Sequence, residues 1–382
     1  MSKIQRRGGY LLAALLVLGA VLASCGKDPA APPEPVLATP PQLDPPSGDL
    51  DSLDVITITC SDPDVVIKYT LDGSDPTELS ARYTQPLQLS QLFPPMVRNG
   101  VLKARSFKPG RYPSLTVSGA YTIEMPPMPA SFVLIPGGTF NNGSANVNVS
   151  SFYLDSFELT QAGYQAVTGA NPSYFPGLDK PVERVSWFDA IAYCNRRSIR
   201  EGLTPCYSYG QQGLDPDNWP LDWDENDVNH AYVYCNWDAT GYRLPTEMEW
   251  MFAARGGSGF QGYIYPGGNN LGPLGWYLDN CGAVYGSTQP VGQKQANELG
   301  LFDMAGNVAE IVWDVFSAYP VTYQVDYRGP NPTLAGEPHC VRGGSFQSME
   351  EVCRVDARGQ TGCTSLFNHT GFRLARRAMS AK

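Results

Sequence analysis

The alternation of apolar and polar positions divides the chain into unlike stretches. Val55-Ile-Thr-Ile-Thr-Cys60 and Val65-Val-Ile-Lys-Tyr-Thr70 alternate and are β-branched, as half-buried strands require. Gly100–Phe107 and Thr116–Ile123 repeat the pattern, and Leu71-Asp-Gly-Ser-Asp-Pro-Thr77 is dense in turn residues. Residues 47–124 therefore read as a small antiparallel β-sandwich. Farther on, two stretches take up a helical start signal. Ser186 with Asp189 opens a helix through about Arg200, which Gly202 ends. Thr246 with Glu249 makes a capping box after Pro245, and that helix stops at Gly256-Gly257. The rest of residues 131–378 is rich in Gly, Trp and Tyr and reads as loop and short strand.

The first residues show a different pattern. Lys3, Arg6 and Arg7 precede an apolar run from Tyr10 to about Ala23, and small residues follow. This is the layout of a secretory signal peptide over residues 1–24. The run is shorter than the roughly 20 apolar residues of a spanning helix. Residues 25–46 are rich in Pro and Ala and read as an extended tether, and residues 125–130 as a second linker. The formal net charge of -10 falls to about -13 once the signal is removed, which disfavours nucleic acid as a partner. Besides Cys25 the mature chain keeps eight cysteines, and outside the cytoplasm some of them can pair.

Three segments resemble known families. Leu22-Ala-Ser-Cys25 resembles the lipobox of bacterial lipoproteins. That resemblance implies a diacylglyceryl group on Cys25, cleavage before it, and a membrane partner through the lipid. The protein is then expected in the cell envelope outside the cytoplasm, at the outer membrane or cell surface in a Gram-negative cell. Lys68-Tyr-Thr-Leu-Asp-Gly-Ser-Asp-Pro-Thr77, with Tyr83, Leu87 and Lys103-Ala-Arg-Ser, resembles the C-terminal domain of chitobiase and β-hexosaminidase. It implies an immunoglobulin-like accessory module. The third resemblance spans several blocks: Phe132-Val-Leu-Ile-Pro-Gly-Gly-Thr-Phe140, Pro181-Val-Glu-Arg-Val-Ser-Trp187, Gly241-Tyr-Arg-Leu-Pro-Thr-Glu-Met-Glu-Trp250, Asn297 to Val308, Val341-Arg-Gly-Gly-Ser-Phe346 and Gly371-Phe-Arg-Leu374. Their order is similar to the formylglycine-generating enzyme (sulfatase-modifying factor) family. This implies an irregular α/β domain related to C-type lectins over residues 131–378.

The family resemblance also implies chemistry. Catalytic members hold copper(I) between two cysteines five residues apart, just after the Gly-Gly-Ser block, and two thiolates suit that soft ion. Here the second position is Cys353 but the first is Ser348, and a hydroxyl is a poor substitute. Ser345 is retained, and Ala309 stands where the family usually has an aromatic residue. Cys353 and Ser345 are therefore the candidate catalytic pair, and Cys281, Cys340 and Cys363 are candidates for a replacement thiol. The loop from Asp303 to Glu310 matches a calcium loop, with ligands Asp303, Glu310 and the carbonyls of Gly306 and Val308. Oxygen donors of that kind suit Ca²⁺. The family's other calcium loop is not recognisable around residues 276–290. A three-histidine iron site of a related branch would have only His230, His339 and His369 to draw on.

Cys206 and Cys235 flank an insertion and are a disulfide candidate, since pairing would close a long loop. The insertion's Asp215, Asp217, Asp222, Asp224 and Asp227 lack the glycine of an alternating calcium loop and read as a solvated acidic segment. Arg255-Gly-Gly-Ser-Gly259 follows a helix, so it is not a phosphate cradle. Three functions follow as expectations. The first is a lipid-anchored envelope protein with a binding or structural role, partnered by an envelope protein and lacking copper-oxidase chemistry. The second is an oxidase acting through Cys353, and the third a surface protein that binds glycans.

Overall fold

The computed structural model describes residues 36–51, 54–88, 99–124, 128–220, 232–282, 286–331 and 336–378. The signal peptide, Cys25, Asp222, Asp224, Asp227 and His230 lie outside the described residues. The described chain is mostly β, with few helices, and falls into more than one domain. None of its helices is long and apolar enough to cross a membrane.

The N-terminal unit contains β1 (Gln42–Asp44), β2 (Gly48–Asp51), β3 (Val55–Thr59), β4 (Val66–Thr70), β5 (Ala81–Arg82), β6 (Leu87–Gln88), β7 (Asn99–Phe107) and β8 (Val117–Glu124). One sheet has the order β1-β3-β6 and the other β2-β8-β7-β4-β5. All pairings are antiparallel except β2 with β8. The period of two is kept: Ile56 and Ile58 point inward on β3, and Leu102 and Ala104 do so on β7. They meet Leu43, Leu87 and Tyr121 in one core drawn from both sheets. Each large side chain buried there contributes about 1.5–3 kcal/mol. The start of this unit differs from the expected boundary at 47. Leu43 enters the core, and a backbone bridge ties Leu37 to Tyr112. Alternation over three residues in a Pro-rich stretch is too short to read as a strand, and the unit accordingly begins before residue 47.

The C-terminal domain contains β9 (Phe132–Ile135), β10 (Gly138–Asn141), β11 (Asn146–Val149), β12 (Phe152–Asp155), β13 (Tyr207–Tyr209), β14 (Val233–Cys235), β15 (Ala309–Val315), β16 (Gln324–Val325), β17 (His339–Arg342), β18 (Gly359–Thr361), β19 (Thr370–Gly371) and β20 (Ala375–Arg377). Its helices are α1 (Gln161–Thr168), α2 (Trp187–Arg200) and α3 (Glu247–Ala254). Both expected capping boxes are present, Ser186 with Asp189 and Thr246 with Glu249. α1 is an addition: Thr160 caps it and Gly169, at φ 80°, ends it. The largest sheet here has the order β18-β17-β15-β19. α3 is buried along almost its whole length, as an all-round apolar helix must be. Its Met248, Met251 and Phe252 pack with Ile135, Val147 and Val312. α2 lies in a second core with Leu244, Ile311 and Phe372.

Candidate functional site

The site is built where two glycine-containing loops interlock. Asp303, Gly306 and Asn307 all have positive φ, at 54°, 80° and 56°. A Cβ on Gly306 would lie 2.0 Å from the Trp276 carbonyl oxygen, so only glycine fits. The Gly306 amide donates to the Gly343 carbonyl (2.9 Å), and the Phe346 amide donates to the Asn307 carbonyl (2.9 Å). Gly343 and Gly344 also take positive φ, and a Cβ on Gly344 would come within 2.8 Å of the Cys353 Sγ. The turn chemistry of both loops thus presses the backbone onto Cys353.

Cys353 is fully buried, packed with Tyr265, Leu271, Leu274, Tyr277 and Ala305. Burial and the nearby Glu350 and Glu351 push its thiol up to about 12, and only the Gly306 amide opposes them. Without a metal the thiol is therefore protonated at neutral pH and a poor nucleophile. Glu350 is itself held by the hydroxyls of Tyr277 (3.0 Å) and Tyr265 (3.4 Å). Ser348 is tied into a turn with Ser345. Its Oγ accepts from the Ser345 amide (2.9 Å) and lies 3.3 Å from the Ser345 Oγ. Its own amide donates to the Ser345 carbonyl (2.9 Å).

The candidate replacement thiols have other neighbours. Cys281 donates to the Phe346 carbonyl (3.0 Å), Cys340 lies 3.3 Å from a Glu247 carboxylate oxygen, and Cys363 packs in the α2 core. His339 stacks on Trp187 with centroids 4.0 Å apart. His369 sits beyond the other end of β15, where its carbonyl takes the Ala309 amide, so the two imidazoles do not converge. Among the described residues, no group of three or more His, Cys, Asp or Glu side chains is placed to hold a metal ion.

The calcium set assembles only in part. Glu310 is gripped by Arg373 through both carboxylate oxygens (2.6 Å each) and also accepts from the Trp250 Nε1 (2.7 Å). Asp303 Oδ2 accepts from the Gly292 amide (2.6 Å), while Oδ1 is buried without a hydrogen-bond partner. The two carboxylates thus offer one unengaged oxygen, so the side chains alone fall short of the six to eight oxygens that calcium takes. The carboxylate beside Asp303 is instead Glu158, which accepts from the Asn307 Nδ2 (2.6 Å) and the Val308 amide (3.0 Å). Burial, Asp303 and Glu310 hold its carboxyl well above the usual range. Arg373 could have been found from the Gly-Phe-Arg block, whereas Glu158 carries no local signal.

Cys206 and Cys235 are both thiols here and flank the β13–β14 pair. Cys235 is in register with Tyr207, and the Asn236 amide donates to the Cys206 carbonyl (2.7 Å). Burial pushes the Cys206 thiol up to about 12, and burial together with Cys206 raises Cys235. Asp215 caps a short turn and Asp217 pairs with Arg196 (3.1 Å). Apart from these loops, a cleft of about 570 Å³ is lined by Trp237, Tyr153, Arg243, Glu249 and Arg328 and does not include Cys353.

Comparison with known proteins matches this geometry to a family. Residues 122–378 match the sulfatase-modifying factor enzyme 1-like domain, and residues 56–121 match the family described as Fn3 associated. A relative from Paenibacillus barcinonensis, named chaperone protein LppX, is 38% identical over 263 residues, covering 64% of this chain and 88% of its own. A formylglycine-generating enzyme from Thermomonospora curvata is 31% identical over 299 residues, covering 64% of this chain and 92% of its own. Among solved structures, Treponema denticola variable protein 1 superimposes with a TM-score of 0.57 at 30% identity, covering 72% of this chain and 99% of that one. CarF does so with a TM-score of 0.53 at 26% identity, covering 66% of this chain and 99% of that one. The chain therefore belongs to the sulfatase-modifying factor (formylglycine-generating enzyme) family, with an Fn3-associated β domain ahead of the family domain.

Proposed function

We propose that this chain is an envelope lipoprotein, acylated on Cys25, whose family domain binds another protein and does not oxidise one. The observation that carries this reading is the Ser345–Ser348 turn beside a buried Cys353. The hydroxyl at the first copper position is tied to the Ser345 backbone, which leaves Cys353 as the single thiol of the pair. Two thiolates cannot form there, so the copper(I) chemistry of the catalytic members has no seat. The relative named as a chaperone, at 38% identity, supports a protein-binding role. Within this reading the N-terminal unit is an immunoglobulin-like spacer, and the larger domain is a C-type-lectin-like scaffold.

Two experiments test the proposal. Copper(I) titration against a chromophoric chelator should show no tight site; tight binding that Cys353→Ser abolishes would overturn it in favour of the oxidase reading. Purified protein should also slow the aggregation of a secreted enzyme refolding from denaturant, and no effect at equimolar ratio would remove the binding role. The glycan reading rests on the cleft lined by Tyr153 and Trp237, where Arg243 pairs with Glu249 (2.6 Å) and Arg328 lies 4.3 Å over the Trp237 ring. Titration of neutral and acidic oligosaccharides, followed by tryptophan fluorescence, tests it.

A further inference from the structure

A second cavity shares Trp237 and Arg328 with the cleft described above, and its character is different. Its volume is about 270 Å³, and the indoles of Trp187, Trp237 and Trp313 line it with the His339 imidazole. Trp187 opens α2, Trp313 lies on β15 and His339 begins β17, so three elements of the family domain converge there. The Trp187 and Trp313 rings are tilted by 44° with centroids 5.4 Å apart, and Trp237 meets Trp313 at 89° and 5.7 Å. The His339 ring stacks on Trp187 while its Nδ1 lies 2.9 Å from the Trp313 carbonyl oxygen. These contacts hold the rings as a fixed aromatic corner. Tyr234 and Asn331 add a hydroxyl and an amide to the lining.

Two polar groups of this lining lack a partner. Trp187 is buried, and its Nε1 has no hydrogen bond. Arg328 lies 4.3 Å over the Trp237 ring and makes no ion pair or hydrogen bond among the described residues. No acidic side chain lines the cavity. The acids of the adjoining cleft are engaged elsewhere. Glu249 pairs with Arg243 (2.6 Å), Asp238 pairs with Arg377 (2.9 Å), and both Asp326 oxygens accept from Ser150 (2.7 and 2.8 Å). Asp314, packed behind Gly329, is buried, and burial and Glu247 hold its carboxyl well above the usual range. Arg328 is thus a cation that no contact in the cavity answers.

We propose that this cavity binds a small aromatic carboxylate, with its ring among the indoles and its carboxylate on the Arg328 guanidinium. The site stands apart from the protein-binding and glycan readings. Indoles set nearly at right angles offer a flat ring both the stacked and the edge-on contacts that aromatic pairs prefer. A guanidinium takes a carboxylate through two parallel N–H bonds. Other occupants fit less well. A quaternary ammonium suits aromatic walls but meets the like charge of Arg328. A purely apolar ring or side chain leaves Arg328 and the Trp187 Nε1 without an acceptor. A sugar acid brings hydroxyl donors, and the lining has no carboxylate to accept them. The volume lies just below the roughly 300–1,000 Å³ of sites for drug-sized ligands, which is room for one substituted ring.

Calorimetric titration of the mature chain, from Gly26, tests the proposal with three probes. These are 4-hydroxyphenylacetate, its uncharged amide 4-hydroxyphenylacetamide, and glucuronate. The aromatic acid is expected to bind at least about tenfold more tightly than either of the others. Arg328→Gln, checked for unchanged melting, should remove the preference for the acid over the amide. Arg354→Gln, at an exposed arginine paired with Asp356, should keep it. The ring protons of the bound acid should also shift upfield in the NMR spectrum, as neighbouring indoles require. Equal affinity for acid and amide, or an acid preference that survives Arg328→Gln, would overturn the proposal. So would tighter binding of glucuronate, or no heat from any of the three probes at millimolar concentration.

Discussion

Arg373 holds Glu310 with two parallel hydrogen bonds of 2.6 Å, and both side chains are fully buried. The same guanidinium also donates to the Asp155, Ser156 and Phe302 carbonyls. One cation thus joins β15 to the loops that carry Asp303 and Glu158. Breaking such a pair by removing one partner costs about 3–5 kcal/mol, because the other charge stays buried. Arg373→Ala is therefore expected to lose that much stability in urea unfolding, or to fail to fold. Glu310→Gln leaves the Arg373 cation buried without its counter-charge and turns an amide N–H toward a guanidinium or indole N–H, so it should lose a comparable amount. An equal, small effect for both would refute the pairing argument.

The same pair determines the expected response to calcium. An ion that bound only the folded state at a hundred times its Kd would add about 2.7 kcal/mol. With Glu310 held by Arg373 and Trp250, millimolar calcium or chelator is expected to leave the melting temperature unchanged. A calcium-dependent rise that Asp303→Ala removes would show that the loop takes the ion after all.

Ser348→Cys should restore a second thiol to the family's copper position. The variant is expected to bind copper(I) at least about a hundredfold more tightly than the parent, two thiolates being the preferred donors of a soft ion. Competition with bathocuproine disulfonate measures this. No gain would show that burial by Tyr265, Tyr277 and Gly344, and not the missing thiol, keeps copper out.

Asp155 gives the fold an acid-side advantage. Its carboxyl is raised to about 6, chiefly by burial, against hydrogen bonds from Ser131 and the Phe157 amide. A raised carboxyl pKa favours the protonated folded state. Its contribution is full below the unfolded value near 4 and is lost as pH rises through about 6. Asp155→Asn should remove up to about 2 kcal/mol of the pH dependence between pH 4 and 7. Denaturant midpoints measured across that range would show a flatter curve; an unchanged curve would refute the assignment.

Cys206 and Cys235 bracket the insertion at the β13–β14 pair, where closing the loop would restrict the unfolded chain by about 3.6 kcal/mol. In protein secreted under oxidising conditions, the two peptides are expected to stay joined through alkylation and digestion until reductant is added. Free alkylation of both without reductant would exclude the pair.

Much of the architecture was legible in local pattern. The strands at residues 55–60, 65–70, 100–107 and 116–123 and both capped helices are determined by neighbours a few residues apart, through alternation and amide capping. Gly306, Gly343 and Gly344 were visible as glycine blocks, because their positive φ excludes other side chains. Tertiary structure alone decided who partners whom. Glu310 reads in sequence as a ligand at the end of a loop. It becomes half of an ion pair because β19 and the residues after it bring Arg373 across 63 positions of chain. Ser348 reads as a lost thiol. The fold shows its hydroxyl engaged in a turn and Cys353 dried by Tyr265 and Tyr277. Charge state and ligand capacity depend on burial and on donors from distant segments, and no run of adjacent residues encodes either.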